Sequence, residues 1–479
     1  MSAADPVQFD SPDYAIFLGL ALVGYWLLRD RRPARRVFIV LASCAFYMAW
    51  RPYYIGLILF STLLDYVAGR QIEAAKSPKL KRFWLFVSLT GNLGLLGTFK
   101  YFNFFAEALH DGLALAHVNI PTAQLDVLLP VGISFYTFQT LSYTIDIYRG
   151  QLKARKSLLD FAFFVTYFPQ LVAGPIVRAS EFLPQLKRRP RLNPELVSRG
   201  LFLIGTGLVK KVAIADYLSL NLVDRVFDNP SLFTGPEVIV ALYGFTMQMY
   251  CDFSGYTDMA RGSAMLMGLE LPENFDRPYA TTNPAEFWRR WHMTLSSWLR
   301  DYLYFPLGGS RRGEGRAYLN LWLTMFLIGL WHGASWTFVV YGTLQATAMV
   351  VHRFFYKRAG RTAETVDARW LRGLKIFACL QFVVFSRILF RSKGLDNAWE
   401  VTARIFSGTR SMAQISWGLW LMLGTTFFVH YLPKRYFEHL ERTFIRIPPW
   451  TQGLALAGVV YLLSLVASSD AVPYIYFQF

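Results

Sequence analysis

Long uncharged runs dominate the chain. Val127 to Ile145, Ala317 to His352, Ser411 to Pro433 and Ile447 to Ser469 contain no Asp, Glu, Lys or Arg, and Tyr14 to Leu28, Phe83 to Phe99 and Phe161 to Val177 are uncharged over slightly shorter lengths. A helix needs roughly 17 to 25 apolar residues to cross about 30 Å of hydrocarbon. Other candidates are short or interrupted: Val37 to Trp50, Tyr53 to Leu64, Gly200 to Leu220 with Lys210 and Lys211 inside it, and Val238 to Leu271 with Asp252 and Asp258 inside it. The pattern predicts an all-α integral membrane protein with about eleven membrane segments.

Charge between the runs gives an orientation. Residues 1 to 13, with Asp5, Asp10 and Asp13, and the stretch from Glu107 to Asp126 hold acids and no Lys or Arg. Residues 29 to 36 hold five Arg, and Lys76, Lys79, Lys81 and Arg82 crowd one short loop. Basic loops stay on the cytoplasmic side, so the acidic stretches face outward. The N-terminus lacks the basic n-region of a cleaved signal, so the first apolar segment is expected to remain in the mature protein.

Two segments depart from alternation. Phe161 to Val177 lies between Arg149, Lys153, Arg155, Lys156 and Lys187, Arg188, Arg189, Arg191, so both ends face the cytoplasm and the segment re-enters. Its Phe168-Pro169-Gln170 and Ala173-Gly174-Pro175 break a helix, which is tolerated at membrane depth only inside protein or against a water-filled cavity. Ala317 to His352 is likewise flanked by Arg311, Arg312, Arg316 and Arg353, Lys357, Arg358, and reads as a helical hairpin. His332, between Gly329 and Gly333 near its middle, would sit roughly 20 Å from either basic flank at 1.5 Å per residue.

Composition fits this reading. Of 479 residues 54% are hydrophobic and only 17% charged, too few charges for a soluble surface of this size. The formal charge of +17 would suggest nucleic acid in a soluble chain, but here the basic residues fall in loops between apolar segments, so nucleic acid is not an expected partner. Cys44, Cys251 and Cys379 are isolated within apolar stretches and read as packing residues, neither a disulfide framework nor a metal site. No internal repeat or long linker divides the chain, so residues 1–479 are expected to form one polytopic domain.

Among seven histidines, His332 stands apart. An ionisable side chain deep in apolar surroundings is costly and is a functional candidate, the alternative being a neutral histidine hydrogen-bonded between helices. Burial would keep the ring neutral and able to accept a proton. His292 is the second candidate. Asn283, Pro284 and Glu286 signal a helix start, and Trp288, Trp291, Leu295, Trp298, Leu299 and Tyr302 then recur on one face. That spacing predicts one amphipathic helix at the cytoplasmic interface, with His292 on its apolar side among indole rings or against substrate. The third feature is Tyr250-Cys251-Asp252-Phe253-Ser254 with Asp258. Its carboxylates could work as acid or base, but a structural role, hydrogen-bonding neighbouring helices or pairing with Lys210, Lys211 or Arg261, is the stronger reading, and Asp65, Asp146 and Asp216 are read the same way. No His-Glu-x-x-His, phosphate-binding Gly-rich loop, Cys-x-x-Cys or Gly-x-Ser-x-Gly occurs, which disfavours metal-dependent and nucleotide hydrolysis.

These motifs together resemble a known family. Leu129 to Phe138, Phe168 to Ile176, Tyr250 to Asp258, Arg277-Pro278-Tyr279, Trp288 to Tyr304, Gly329 to Trp336 and the terminal Tyr474 to Phe479 are similar, in order, to the membrane-bound O-acyltransferases of the bacterial alginate O-acetylation branch. The resemblance implies a funnel around a central catalytic histidine, here His332, with His292 as second functional histidine. It implies substrate-binding roles for Trp331, Trp288, Arg289, Arg290, Asp252, Ser254, Tyr250 and Asn274. It also implies no tightly bound cofactor, acetyl-CoA as acyl donor, a periplasmic acetyltransferase as partner protein, a polysaccharide acceptor, contact with membrane lipids, and a multi-pass location in the bacterial inner membrane. His332 would act as general base or carry the acyl group itself. Basic residues Arg277, Arg289, Arg290, Arg300, Arg311 and Arg312 would attract the donor's phosphates. The rival expectations are D-alanyl transfer to teichoic acid by the same fold, and a transporter or channel without acyl chemistry.

Overall fold

The computed structural model describes residues 8–118, 121–172, 174–360, 368–467 and 472–475. Asp5, Ala173, Ser468, Ser469 and residues 476–479 of the terminal aromatic stretch lie outside the described residues. The described residues form helices and connecting loops, with no strand among them. Contacts sort the chain into two units: residues 1–193 with 263–272, and residues 194–262 with 273–479.

The first unit is organised by capped helices. Ser11 and Ser77 accept the Tyr14 and Lys79 N–H groups at the starts of Pro12–Leu27 and Pro78–Leu96, each with Pro in its first turn. Ile55–Ala74, Pro78–Leu96 and Ile133–Tyr148 pack together around Asp65. That buried carboxylate accepts from Ser88, from Asn92 Nδ2 at 2.8 Å and from Thr144 Oγ1 at 3.0 Å, which satisfies it without a cation. The uncharged run Val127 to Ile145 is not one helix. Its first part is loop, and the helix begins at Ile133, because Gly132 adopts φ 76 and a Cβ there would lie 2.4 Å from the Leu171 carbonyl oxygen.

Phe161 to Val177 is broken as its prolines require. The helix Leu158–Thr166 ends at Tyr167 and a single turn, Phe168–Leu171, follows. The orphaned Phe164 carbonyl accepts from Gln139 Nε2 at 2.7 Å and Gln170 Nε2 at 2.5 Å, and Phe168 N–H donates to Ser43 Oγ at 3.2 Å. Buried side chains surround this irregular backbone.

The second unit holds the predicted hairpin. Glu314–His332 and Trp336–Arg358 pack tightly against each other, separated by Gly333 to Ser335. Glycine permits the contact: a Cβ on Gly329 would lie 2.2 Å from the Gly342 Cα. The segment carrying Lys210 and Lys211 stays helical through π-helical turns, Val209–Asp216 and Ser219–Val223, a local widening that accompanies functional sites in many helices. Three described helices are long and apolar enough to cross a membrane by themselves: Pro52–Ala74, Arg369–Arg391 and Pro449–Val466. Arg369–Arg391 does not stand out as an apolar run, because Arg372, Lys375, Arg387 and Arg391 interrupt it.

Candidate functional site

The helix start at Asn283 forms as predicted. Its Oδ1 accepts the Glu286 N–H at 2.8 Å, and Glu286 Oε2 reaches back to the Thr282 N–H at 2.9 Å, one residue beyond the expected box. The single amphipathic helix does not form. Pro284–Arg290 stops, Trp291 is extended, His292 takes φ 44 and ψ 55, and Met293–Leu299 begins afresh. A non-glycine residue in this left-handed region is uncommon and needs its surroundings to hold it. Two backbone bonds do so: Met293 N–H to the Asn274 carbonyl and Asp276 N–H to the Arg290 carbonyl, both 3.0 Å. The break turns the His292 ring fully inward, at 0% exposure.

Asn274 fixes the protonation of that ring. Its Oδ1 accepts from Thr294 N–H at 3.2 Å and Thr294 Oγ1 at 2.9 Å, and lies 3.2 Å from His292 Nδ1. A backbone N–H only donates, so the atom it meets is the amide oxygen. An amide oxygen only accepts, so Nδ1 carries the proton and Nε2 the lone pair. Burial lowers the imidazole to a pKa of about 3, leaving it neutral at pH 7.

His332 ends the first arm of the hairpin, 2% exposed. Its ring lies 5.1 Å from Trp331, 5.1 Å from Phe390 and 6.4 Å from Tyr341, centroid to centroid. Trp331 also lies 5.7 Å from His292, so one indole touches both imidazoles. Phe253 packs edge-on to His292 at 4.8 Å and Phe275 at 4.9 Å, and Phe275 meets Trp291 at 5.0 Å. Arg387 then lies over Trp291 at 4.8 Å and over Phe390 at 5.4 Å. The contacts thus run in a closed circuit from His332 through Phe390, Arg387, Trp291, Phe275, Phe253, His292 and Trp331.

The other anticipated residues fall into three groups. Trp331 and Asn274 belong to the circuit or its support. Ser254 and Asp252 are buried and Tyr250 half-buried one layer away: Tyr250 stands beside Ser254 and edge-on to His430 at 4.8 Å, and His430 Nε2 accepts the Tyr279 N–H at 3.2 Å. Asp252 is engaged on both oxygens, by Lys211 Nζ at 3.0 Å and Ile475 N–H at 2.9 Å, while Lys211 also bridges Asp216 at 2.7 Å and Lys210 holds Asp258 at 2.6 Å. The pairing expected of these acids is therefore what forms. Trp288 is buried but tied to Gln345 Oε1 at 3.2 Å, and Arg289 and Arg290 lie outward, Arg290 paired with Glu286 at 2.8 Å. Phe390 and Arg387 went unread because their helix was not recognised; a hydropathy average over the whole segment would have found it. Among the described residues no group of three His, Cys, Asp or Glu side chains is placed to hold a metal.

Two buried imidazoles around one indole, one of them locked with an accepting nitrogen, suit proton removal from a hydroxyl in a dry site. Residues 151–390 match the family described as MBOAT, membrane-bound O-acyltransferase. The chain belongs to this membrane-bound O-acyltransferase family. Both histidines lie within the matched region, and the chain is an acyl-transferring membrane protein. It is 40% identical over 82% of its length to 76% of the Azotobacter vinelandii protein named "Probable alginate O-acetylase AlgI". It is 36% identical over 82% of its length to 78% of the Helicobacter pylori peptidoglycan O-acetyltransferase. The Bacillus subtilis teichoic acid D-alanyltransferase is 30% identical over 55% of this chain and 69% of its own.

Proposed function

We propose that this O-acyltransferase moves acetyl groups from cytoplasmic acetyl-CoA for O-acetylation of an exported polysaccharide. The observation that carries the reading is the pair of buried imidazoles sharing Trp331. His332 takes the proton from an acceptor hydroxyl as its oxygen attacks the thioester carbonyl, and returns that proton to the leaving thiolate. His292, with its lone pair on Nε2, accepts a hydrogen bond from an O–H or N–H of the bound substrate. Arg277, Arg289, Arg290, Arg300, Arg311 and Arg312 attract the donor's phosphates from the cytoplasm. About eleven segments in the inner membrane would surround the site as a funnel open to both sides, and a periplasmic acetyltransferase would pass the group to the polysaccharide.

The relatives support acetyl as the cargo, since those named for O-acetyl transfer cover more of this chain, at higher identity, than the D-alanyl transferase. The test is cargo discrimination in cells carrying the intact gene and its neighbours. Labelled acetate is expected on the exported polymer in a manner dependent on this protein. Labelled D-alanine there, without acetate, would overturn the assignment. Flux of an unmodified solute through liposomes with no acyl donor would instead establish a transporter.

A further inference from the structure

We propose that Arg387 is an oxyanion-binding residue, taking a carboxylate or phosphate of a substrate through two parallel hydrogen bonds; this rests on reading the surrounding circuit as the acyl-transfer site. Arg387 is 1% exposed on the helix Arg369–Arg391, itself apolar and long enough to span a membrane. A guanidinium stays protonated in proteins, and a charge inside a spanning segment calls for a partner. None of the described carboxylates lies within ion-pair distance of it.

The edge of the group says what partner would fit. Nε and Nη2 are both buried and make no hydrogen bond to any described residue. These two nitrogens form the side-on fork that matches the two oxygens of a carboxylate or phosphate. The guanidinium carbon lies over the Trp291 ring at 4.8 Å and over the Phe390 ring at 5.4 Å, and the Tyr279 hydroxyl stands beside the group while donating to the Thr246 carbonyl at 2.7 Å. Phe390 is the ring against His332, and Trp291 precedes His292, so the fork belongs to the same circuit as both imidazoles. The cationic fork would fix an acidic part of donor or acceptor while the hydroxyl and thioester meet at His332. A carboxylate on the hydroxyl-bearing acceptor and the phosphates of the donor share this chemistry.

The test is calorimetric titration of the purified full-length protein in lipid nanodiscs. Glucuronate, with glucose as its uncharged control, represents an acidic acceptor; adenosine 3′,5′-bisphosphate represents the donor's phosphates. One of the two anions is expected to bind saturably, with Kd rising about tenfold or more in Arg387→Gln, the scale of losing a charge-assisted pair. Arg387→Lys keeps the charge but not the fork and is expected to weaken the same anion several-fold, which covers a Gln variant that does not fold. His332→Ala is expected to keep the anion affinity while losing acyl transfer, so failure of the proposed function and failure of the anion site read out separately. Binding of neither anion would mean that the fork holds water only. That outcome, or equal affinity in Arg387→Gln and the native protein, would overturn the proposal.

Discussion

Asn274 is the residue whose replacement tests the site's electrostatics most sharply. Its Oδ1 collects the Thr294 N–H, the Thr294 hydroxyl and the His292 Nδ1–H, so Asn274→Ala strips three donors of one acceptor in a fully buried setting. A buried donor left unsatisfied costs about 1–3 kcal/mol; with some relaxation we expect about 2–4 kcal/mol of lost stability. Turnover should fall about tenfold or more, because the His292 proton is no longer fixed on Nδ1 and the loss of an oriented hydrogen bond is on this scale. Asn274→Asp separates packing from charge. A carboxylate opposite Nδ1–H favours the imidazolium, raises the His292 pKa from about 3, and converts Nε2 from acceptor to donor on the acid side. The kcat profile of Asn274→Asp should then show an acidic limb at higher pH than the native enzyme, with activity recovering as pH rises. The assay is transfer of labelled acetyl by nanodisc-reconstituted protein between pH 5 and 9, alongside thermal unfolding. Native-like activity and stability in Asn274→Ala, or identical pH profiles for the Ala and Asp variants, would refute the assigned tautomer.

Three further outcomes follow from the geometry. Gly329→Val should abolish the monodisperse peak in fluorescence-detected size exclusion, because a Cβ would stand 2.2 Å from Gly342 Cα, whereas Gly424→Ala, with nothing within 4 Å, should behave as native. Lys211→Met leaves Asp216 and Asp252 without their shared cation and should lower stability by about 3–5 kcal/mol in thermal unfolding; adding Asp216→Asn and Asp252→Asn should restore part of it. His292 is depressed from 6.5 to about 3, so the unfolded chain binds one more proton between those values; its contribution to stability is complete above about pH 6.5 and is lost as pH falls toward 3, by about 1.4 kcal/mol per unit. His292→Gln should flatten that part of the pH–stability curve, and an unchanged slope would contradict the buried neutral ring.

What the sequence made legible is what local rules govern. The hairpin followed from an uncharged run between two basic flanks with glycines at its middle, the cap from Asn283, Pro284 and Glu286, and the Lys–Asp pairs from opposite charges stranded in apolar segments. The kink at Phe168-Pro169 followed from proline chemistry. The break at His292 did not, because helical spacing of the tryptophans continues across it, and only the tertiary bonds from Asn274 and Asp276 impose the left-handed residue. The loop before Ile133 was hidden for a similar reason: its uncharged residues run on into the helix without a change of pattern, although Val127 and Leu128 are exposed. Arg387 was hidden because single charges split an apolar run that the fold nevertheless uses as a long helix. Local pattern thus located both imidazoles, while their mutual placement around Trp331 required the structure.

Acyl transfer at His332 is tested by following labelled acetyl from acetyl-CoA with the purified His332→Ala protein. The native protein should discharge the donor in the presence of acceptor, and His332→Ala, eluting and melting as native, should fall by at least about 100-fold, the lower scale of a general-base contribution. A natively folded His332→Ala protein that transfers acetyl at the native rate would contradict it.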